Sequence, residues 1–467
     1  MVNKFIHKDF YLHNELAEQL YHDFAKDLPA IDFHNHLNPK HLADNKVFGD
    51  IAEAWIVSDP YKHRAMRICG VAERGVTGES SSWEKFLNWA KVVPQTVGNP
   101  LFLWSSLELK RVFDIDESLS EENAKEVWEY CNKELQKEGC GAVNIVKKFN
   151  IEVLCTSDDL LDDLKPHSEV SKKRGIEVFP SLRGDTILAF DQPSMSKWLI
   201  NLEEKFGSGI SNLDNFKAAI IEQLDKFSAG GCQLADHAID GGFKFHHDES
   251  MNVSDIFTKW IKERQLAGEE LLALKRHLLS FLSMEYSKRD WILQLHIGAQ
   301  RFTSSRLRNL AGASGGYAGI GRTCDIAGLC NFFDQLEKES KLPRLILYTL
   351  NSSDNEVMAA ITGSYTQDGV WGKVQFGPAW WYNDHYSGIK SQLSVAANYS
   401  LISKFIGMTT DSRSVFSFSR HEYFRRILCG QISEWVEQGH LPHDIDLLSR
   451  LVQDISYFNS KKWIFKD

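Results

Sequence analysis

Short apolar runs alternate with longer amphipathic segments along most of the 467-residue chain. The runs have the length and composition of buried β-strands. We predict eight strands, at residues 31–36, 151–156, 177–182, 231–237, 291–297, 344–350, 373–380 and 405–410. Several of them precede segments with apolar residues at helical spacing, as at 255–262 and 355–361.

This alternation of strand and helix predicts a parallel sheet, and eight strands are the number that closes a (β/α)₈ barrel of the TIM type. An open, doubly wound α/β sheet is the alternative fold. It is disfavoured because no GxGxxG turn follows the first predicted strand. Chain length alone is compatible with one large hydrophobic core and a smaller second core, or with two or three domains.

The connection between the first two predicted strands is too long for one crossover helix. It contains helix-period segments at 82–90 and 121–130. We therefore predict an N-terminal segment with barrel strand 1 at 1–36. A helical insertion over the barrel mouth follows at 37–150, and the rest of the barrel occupies 151–467.

Composition excludes several classes of function. A formal net charge of −10 argues against a broad nucleic-acid surface. The first residues lack the apolar core of a signal peptide, and no apolar run has membrane-spanning length, so we expect no membrane association. The eight cysteines are scattered without a CxxC pair. Such a pattern is typical of reduced thiols in a cytoplasmic protein.

Polar side chains collect at the carboxyl ends of the predicted strands, where barrel enzymes carry their chemistry. These residues are His34, His36, Arg183, Asp185, Asp236, His237, His296, Arg301, the run 380–384, Asp411 and Arg413. Core filling does not explain polar residues gathered at one end of otherwise apolar strands. The pattern therefore predicts a functional site at the barrel mouth.

A metal centre is the first prediction for that site. His34 and His36 alternate on a strand, so their imidazoles project to the same face. With the carboxylate of Asp411 they form a three-ligand set for a divalent metal, most consistent with Zn²⁺, and leave a position for substrate. No lysine at the end of a middle strand is available as a bridging carbamate, so we expect one metal ion.

Each of these residues also has a purely structural interpretation. An HxH pair occurs by chance, His296 could be a buried core histidine, and Asp411 could cap a helix. Two arginines could belong to ordinary ion pairs, and two tryptophans could either pack in the core or form a sugar-facing wall; these are Arg183, Arg413, Trp380 and Trp381. His63 and the pair His246–His247 lie outside the strand ends, and we assign them no role.

The HxH after strand one and the aspartate after strand eight resemble the amidohydrolase superfamily, and the similarity narrows to the uronate isomerases (glucuronate isomerases). The similar segments span nearly the whole chain in a consistent order. They are 31–37, 61–67, 107–111, 155–159, 295–301, 350–355, 376–381, 410–414 and 420–426. One departure is visible, because the family's usual Arg-Pro-Asp is Arg183-Gly184-Asp185 here, and glycine loosens the backbone that positions Arg183.

The resemblance implies interconversion of D-glucuronate with D-fructuronate and of D-galacturonate with D-tagaturonate. It places the metal on His34, His36 and Asp411, with His296 nearby. The expected partner is a small uronic acid, and we also expect a homo-oligomer. The substrate-binding residues would be Arg183, Arg413, His296, Trp380 and Trp381.

Aldose–ketose isomerisation removes a proton α to a carbonyl, so a base and a stabiliser of the enediolate are required. Asp411 and Tyr61 are both candidates for the base, and the sequence does not choose between them. Arg183 and Arg413 are candidates for holding the substrate carboxylate or the developing enediolate, because a guanidinium matches a carboxylate bidentately.

Two other functions use the same features. A mononuclear metal-dependent hydrolase or deaminase would activate a water on the same ligands, with Asp411 as its base. A catalytically silent sugar-acid binding barrel would need neither a base nor a metal. The joint presence of metal ligands, a candidate base and two arginines disfavours that last class.

Overall fold

The computed structural model describes residues 5–245 and 251–466. In these ranges seven parallel strands form one sheet. The strands are β1 (Ala30–Asn35), β2 (Ile151–Asp159), β3 (Glu177–Arg183), β4 (Leu234–Ile239), β5 (Ile292–Ile297), β8 (Arg344–Thr349) and β9 (Val374–Phe376). A small antiparallel pair consists of β6 (Ala299–Gln300) and β7 (Gly319–Ile320). Neighbours in the large sheet follow chain order, and the predicted α/β barrel class is confirmed.

Helices fill the long connection after β1. They are α2 (Pro39–Ala43), α3 (Ile51–Trp55), α4 (Pro60–Ile68), α5 (Ser82–Val92), α6 (Pro100–Phe113), α7 (Ala124–Leu135) and α8 (Ala142–Lys147), with α1 (Glu15–Gln19) before the strand. Many of the apolar side chains of these helices belong to one large core. The division of the chain into an insertion and a barrel remains a prediction.

The remaining helices follow or flank the later strands. They are α9 (Lys165–Arg174), α10 (Met195–Phe206), α11 (Leu213–Ala229), α12 (Val253–Glu263), α13 (Gly268–Lys288), α14 (Ser305–Ala311), α15 (Ile326–Lys338), α16 (Asn355–Ile361), α17 (Tyr386–Tyr399), α18 (Arg420–Glu437), α19 (Ile445–Gln453) and α20 (Asn459–Phe465). None of the described helices is long and apolar enough to cross a membrane.

The sequence of β5 shows how the barrel separates its two faces. Leu293 and Leu295 pack into the apolar layer beneath the helices, whereas Ile292 belongs to the central cluster. Alternation along the strand then directs His296 toward the same interior as Ile292. Its imidazole stacks on Tyr348 of β8, with ring centroids 4.5 Å apart. The interior therefore changes from apolar to polar toward the carboxyl ends of the strands.

The eighth predicted strand, 405–410, is not a strand in the structure. The segment is extended but irregular, because Gly407 has a φ of +80° and a Cβ there would lie 2.2 Å from the carbonyl oxygen of Ile455. Asp411, which follows it, also has a positive φ, of +50°. Left-handed residues interrupt a repeating ladder. Two backbone hydrogen bonds remain, from the Asp411 N–H to the His34 carbonyl at 3.0 Å and from the His36 N–H to the Ser412 carbonyl at 2.7 Å.

This segment still occupies the position of an eighth strand. On one side it bonds to the end of β1. On the other side, Phe405 and Met408 line a small cavity together with Pro378 and Ala379, which follow β9. The seam between the last strand and the first is thus closed by side-chain packing and a few backbone bonds.

The other seven predicted strands are present with different bounds, and the fourth and the seventh differ most. The fourth begins at Leu234 rather than at 231, because Gly231 adopts a turn conformation with φ +85°. The seventh ends at Phe376 rather than at 380, where Gly377 and Pro378 follow. Proline has no N–H to continue a ladder. The pair β6 and β7 was not predicted.

Candidate active site

The mouth of the barrel opens into a cavity of about 730 Å³. The structure brings to its wall the nine residues for which the sequence predicts a catalytic, substrate-binding or metal-ligand role: His34, His36, Tyr61, Arg183, His296, Trp380, Trp381, Asp411 and Arg413. His237, another of the strand-end residues, is not part of the wall. They come from the strand ends, from the segment after 410 and from α4. Residues distant in sequence therefore face one common space.

The carboxylate of Asp411 lies at the centre of this arrangement. Its Oδ1 is 2.9 Å from Nε2 of His36 and 3.4 Å from Nε2 of His34. Its Oδ2 accepts hydrogen bonds from the indole N–H groups of Trp380, at 3.0 Å, and Trp381, at 2.8 Å. One oxygen thus faces the histidines, and the indoles fix the other.

A second group of candidate ligands shares His34. The ligand atoms of His34, Asp236 and His296 lie within 4.8 Å of one another, as do those of His34, His36 and Asp411. Nδ1 of His34 and Nε2 of His296 are buried and have no hydrogen-bond partner among the described residues. Buried polar atoms in proteins are normally bonded, so these two nitrogens are available as donors to a ligand.

The protonation states suit a cation at this place. Burial lowers the pKa of His36 to about 3 against the opposing effect of Asp411, and burial with the charge of His34 lowers that of His296 well below its usual value. Burial tends to raise the pKa of Asp411, but its bonds to His34 and His36 bring it well below the usual range. Neutral imidazoles and an ionised carboxylate are the donors that a divalent metal requires.

His34 and Asp236 behave differently. Burial lowers the pKa of His34, but the carboxylates of Asp411 and Asp236 outweigh it and the net shift is upward. Burial raises the pKa of Asp236 to about 6, against the influence of His34. A metal ion and a proton would compete for these two residues.

Tyr61 enters the site from the first turn of α4. Pro60 starts the helix, and the side chain of Asp59 caps it by accepting from the N–H groups of Tyr61 and Lys62. Burial and the negative charge of Asp411 raise the pKa of the Tyr61 phenol well above its usual value. Its hydroxyl is therefore neutral and able to donate a hydrogen bond.

Five arginines line the cavity, and they are Arg64, Arg183, Arg301, Arg308 and Arg413. Arg183 pairs with Asp185 at 3.3 Å, and Arg301 pairs with Asp240 at 2.8 Å. Arg413 forms no ion pair and no side-chain hydrogen bond within the described part of the chain, and its donors remain available to a ligand.

Known proteins are similar to this chain over almost its whole length. The model of the family described as glucuronate isomerase matches residues 2–464. The chain belongs to the glucuronate isomerase family. The uronate isomerase of Caldicellulosiruptor bescii is 42% identical to it over 464 residues, which are 99% of each chain.

Solved structures give the same result. The crystal structure of a uronate isomerase from Thermotoga maritima matches with a TM-score of 0.92 and 32% identity, covering 99% of this chain and 100% of the other. That of a glucuronate isomerase from Caulobacter crescentus matches with a TM-score of 0.90 at 20% identity, covering 99% and 97%, and supports the fold alone.

Some cavity residues of this glucuronate isomerase family member were missed by the sequence reasoning, or were noted without a role. Arg301 and Asp236 were noted without a role, and their positions at strand ends are the feature of the sequence that indicates them. Arg64 was not found: it donates to the carbonyl of Ala318 at 3.1 Å and ties α4 to the loop before β7. His63 is buried outside the cavity wall, and His246–His247 lie outside the described residues.

The structure explains the unusual glycine in the Arg183-Gly184-Asp185 motif. A Cβ on Gly184 would lie 2.1 Å from Cε1 of the fully buried His237. The imidazole of His237 is fixed by a 2.9 Å contact to the hydroxyl of Tyr286. Glycine at 184 is therefore required by this histidine, and the two residues together set the backbone that carries Arg183.

We expect Gly184→Ala to lower the stability by about 1–3 kcal/mol, the usual effect of forcing atoms into a packed interior. In the Gly184→Ala, His237→Ala double variant the loss should be smaller than the sum of the single losses, because the clash disappears. Thermal unfolding measures all three. Gly268→Ala, with open space around it, is the control. Additive effects of the two substitutions would contradict this explanation.

Replacing both His34 and His36 with alanine should remove most of the bound metal, because two of the candidate donors are lost. Elemental analysis of purified protein, with circular dichroism as a check on folding, measures the effect. His63→Ala is the matched control, since His63 is a buried histidine outside the cavity wall. Unchanged metal content in the double variant would refute the ligand assignment.

Proposed function

We propose that this protein interconverts D-glucuronate with D-fructuronate, and D-galacturonate with D-tagaturonate. Membership in the glucuronate isomerase family supports an aldose–ketose isomerase. The observation that carries the proposal is the Asp411 carboxylate, set between two histidines and two indoles in an arginine-lined cavity. An acid sugar, a proton acceptor and a cation site are the three elements that this reaction needs.

The substrate carboxylate has a natural partner in Arg413. Its guanidinium has no ion-pair partner among the described residues, and it faces the cavity. Arg183 also faces the cavity and is already paired with Asp185. We therefore assign Arg413 to the carboxylate of the uronate, and Arg183 to the developing enediolate. A planar guanidinium binds a carboxylate through two parallel hydrogen bonds.

For the base we favour Asp411 over Tyr61. Asp411 is ionised and therefore has an oxygen free of a proton beside His34 and His36, whereas the phenol of Tyr61 has a raised pKa and acts as a donor. In this assignment Asp411 removes the proton from C2 and returns it to C1, while the hydroxyl proton on the C2 oxygen passes to the C1 oxygen. Tyr61 donates a hydrogen bond to an oxygen of the substrate and so stabilises its negative charge.

The donor set of His34, His36 and Asp411 would hold a divalent cation, and we propose Zn²⁺ as the ion. Two imidazoles and a carboxylate with space for substrate are typical of zinc sites in enzymes. When bound, the cation supplies Lewis-acid stabilisation of the substrate oxygens. His296 and Trp381 then orient the sugar beside it, with Trp380 behind them.

A metal-dependent hydrolase or deaminase would use the same scaffold, and the family relationship does not favour it.

We further propose a cytoplasmic location, supported by eight cysteines that are all free. A homo-oligomeric state remains a prediction.

Assays with D-glucuronate and D-galacturonate, before and after removal of metal by a chelator, test the proposed function. We expect formation of the corresponding ketose from at least one of them, loss of activity after chelation, and recovery with Zn²⁺. Release of a hydrolysis product from an amide or ester panel, with no ketose from either uronate, would support the hydrolase instead.

Arg413→Met should lower kcat/KM for uronates roughly 10- to 150-fold, because a charge-assisted hydrogen bond contributes about 1.5–3 kcal/mol. Inhibition by a neutral aldose should change little, since it has no carboxylate. Arg413→Lys retains the charge and should lose less than the methionine variant. Equal effects on uronate and neutral aldose would show that Arg413 does not bind the carboxylate.

A further inference from the structure

The geometry points to Arg420 as a positioning residue that holds Asp411 in its working place without contacting the substrate. Arg420 begins α18 and is 3% exposed. It is not among the residues that line the cavity. The inference deepens the proposed function and rests on it for the role of Asp411.

The guanidinium of Arg420 binds two different segments. One of its nitrogens pairs with the carboxylate of Asp384, and another donates to the carbonyl oxygen of Thr410. Asp384 is itself 4% exposed, so the ion pair is almost completely removed from water. Breaking one partner of such a pair leaves an uncompensated buried charge, which is strongly unfavourable.

Both segments lead to Asp411. The carbonyl of Thr410 belongs to the peptide bond that joins Thr410 to Asp411. Asp384 ends the turn that begins with Trp380 and Trp381, and its N–H bonds to the Trp381 carbonyl at 3.1 Å. The indoles of that turn fix Oδ2 of Asp411. One guanidinium thus ties the backbone before Asp411 to the indoles that fix its side chain.

The next residue along the helix supports the same residue, Thr410, from its N–H side. Nε2 of His421 lies 2.9 Å from Oδ2 of Asp32, and this oxygen also accepts from the N–H of Thr410 at 2.9 Å. Thr410 is therefore held through its N–H by Asp32 and His421, and through its carbonyl by Arg420. The first turn of α18 fixes both polar groups of the residue before Asp411.

Asp411 needs this support because its φ is +50°, in the left-handed region. An aspartate tolerates that region better than most residues, but it persists there only when its surroundings determine it. Removing the bond to Thr410 and the link to the Trp380–Trp381 turn should allow the peptide to relax. Asp411 would then leave the position in which it faces His34 and His36.

The test compares Arg420→Gln with Arg425→Gln in the full-length protein. Arg425 lies on the same helix and is also buried, but it donates to the carbonyls of Ala25, Leu28 and Pro29 before β1. Both variants lose a buried guanidinium. Only the first loses contacts to the segments around Asp411.

We expect Arg420→Gln to weaken Zn²⁺ affinity and to lower kcat, each roughly 10- to 100-fold, as for residues that orient metal ligands. Arg425→Gln should lower the unfolding temperature and leave both quantities near those of the wild type. The visible spectrum of the Co²⁺-loaded protein should change in Arg420→Gln alone. Arg420→Lys, which keeps the charge but not the fork, should fall between the wild type and Arg420→Gln.

If Arg420→Gln does not fold, Asp384→Asn removes the ion pair with little change in volume and should give the same pattern. Wild-type metal affinity and kcat in a folded Arg420 or Asp384 variant would overturn the inference, as would equal losses in Arg425→Gln. Metal affinity and the Co²⁺ spectrum do not depend on isomerase activity. A wild type without activity on uronates would therefore refute the proposed function, whereas metal affinity and the Co²⁺ spectrum would still test the positioning role of Arg420.

Discussion

The carboxylate of Asp411 is fixed at the seam where the last barrel segment meets the first strand, and the site depends on this placement. An ionised carboxylate in a buried position costs several kcal/mol unless its oxygens are paired. Here one oxygen faces His34 and His36, and the other accepts from two indoles. All four partners face the cavity that would receive the substrate.

The irregular closure of the barrel is compatible with this placement of Asp411. A regular eighth strand would give Asp411 an extended backbone. The observed segment instead turns through left-handed residues, so that the Asp411 N–H bonds to the His34 carbonyl while its carboxylate faces the His34 ring. Regular pairing is lost at this seam, and contacts from α18 and from the turn after β9 replace it.

Periodicity and strand-end chemistry predicted the barrel and the residues around its mouth, because both depend on local sequence. His34, His36, Asp411 and the arginines stand at the ends of apolar runs, where parallel strands bring side chains together. The prediction of a strand at 405–410 is wrong for a tertiary reason, because Gly407 has a positive φ and lies against the carbonyl of Ile455, which is distant in the sequence. The sequence likewise predicts that Gly184 loosens the backbone, whereas in the structure His237, distant in sequence, leaves no space for a Cβ at position 184. For Trp380 and Trp381 the sequence offers core packing or a sugar-facing wall. Neither alternative includes the observed hydrogen bonds from both indoles to Asp411, which lies some 30 positions away.

Transfer of a proton by Asp411 is the central claim, and turnover of D-glucuronate in D₂O tests it most directly. Proton NMR of the ketose should show deuterium at C1 with the wild type, at least in part, because a side chain carries the proton and exchanges it with solvent. Metal-loaded Asp411→Asn should lose both exchange and turnover, by roughly 10²- to 10⁴-fold. A wild-type product without deuterium, or exchange by Asp411→Asn at the wild-type rate, would contradict the claim.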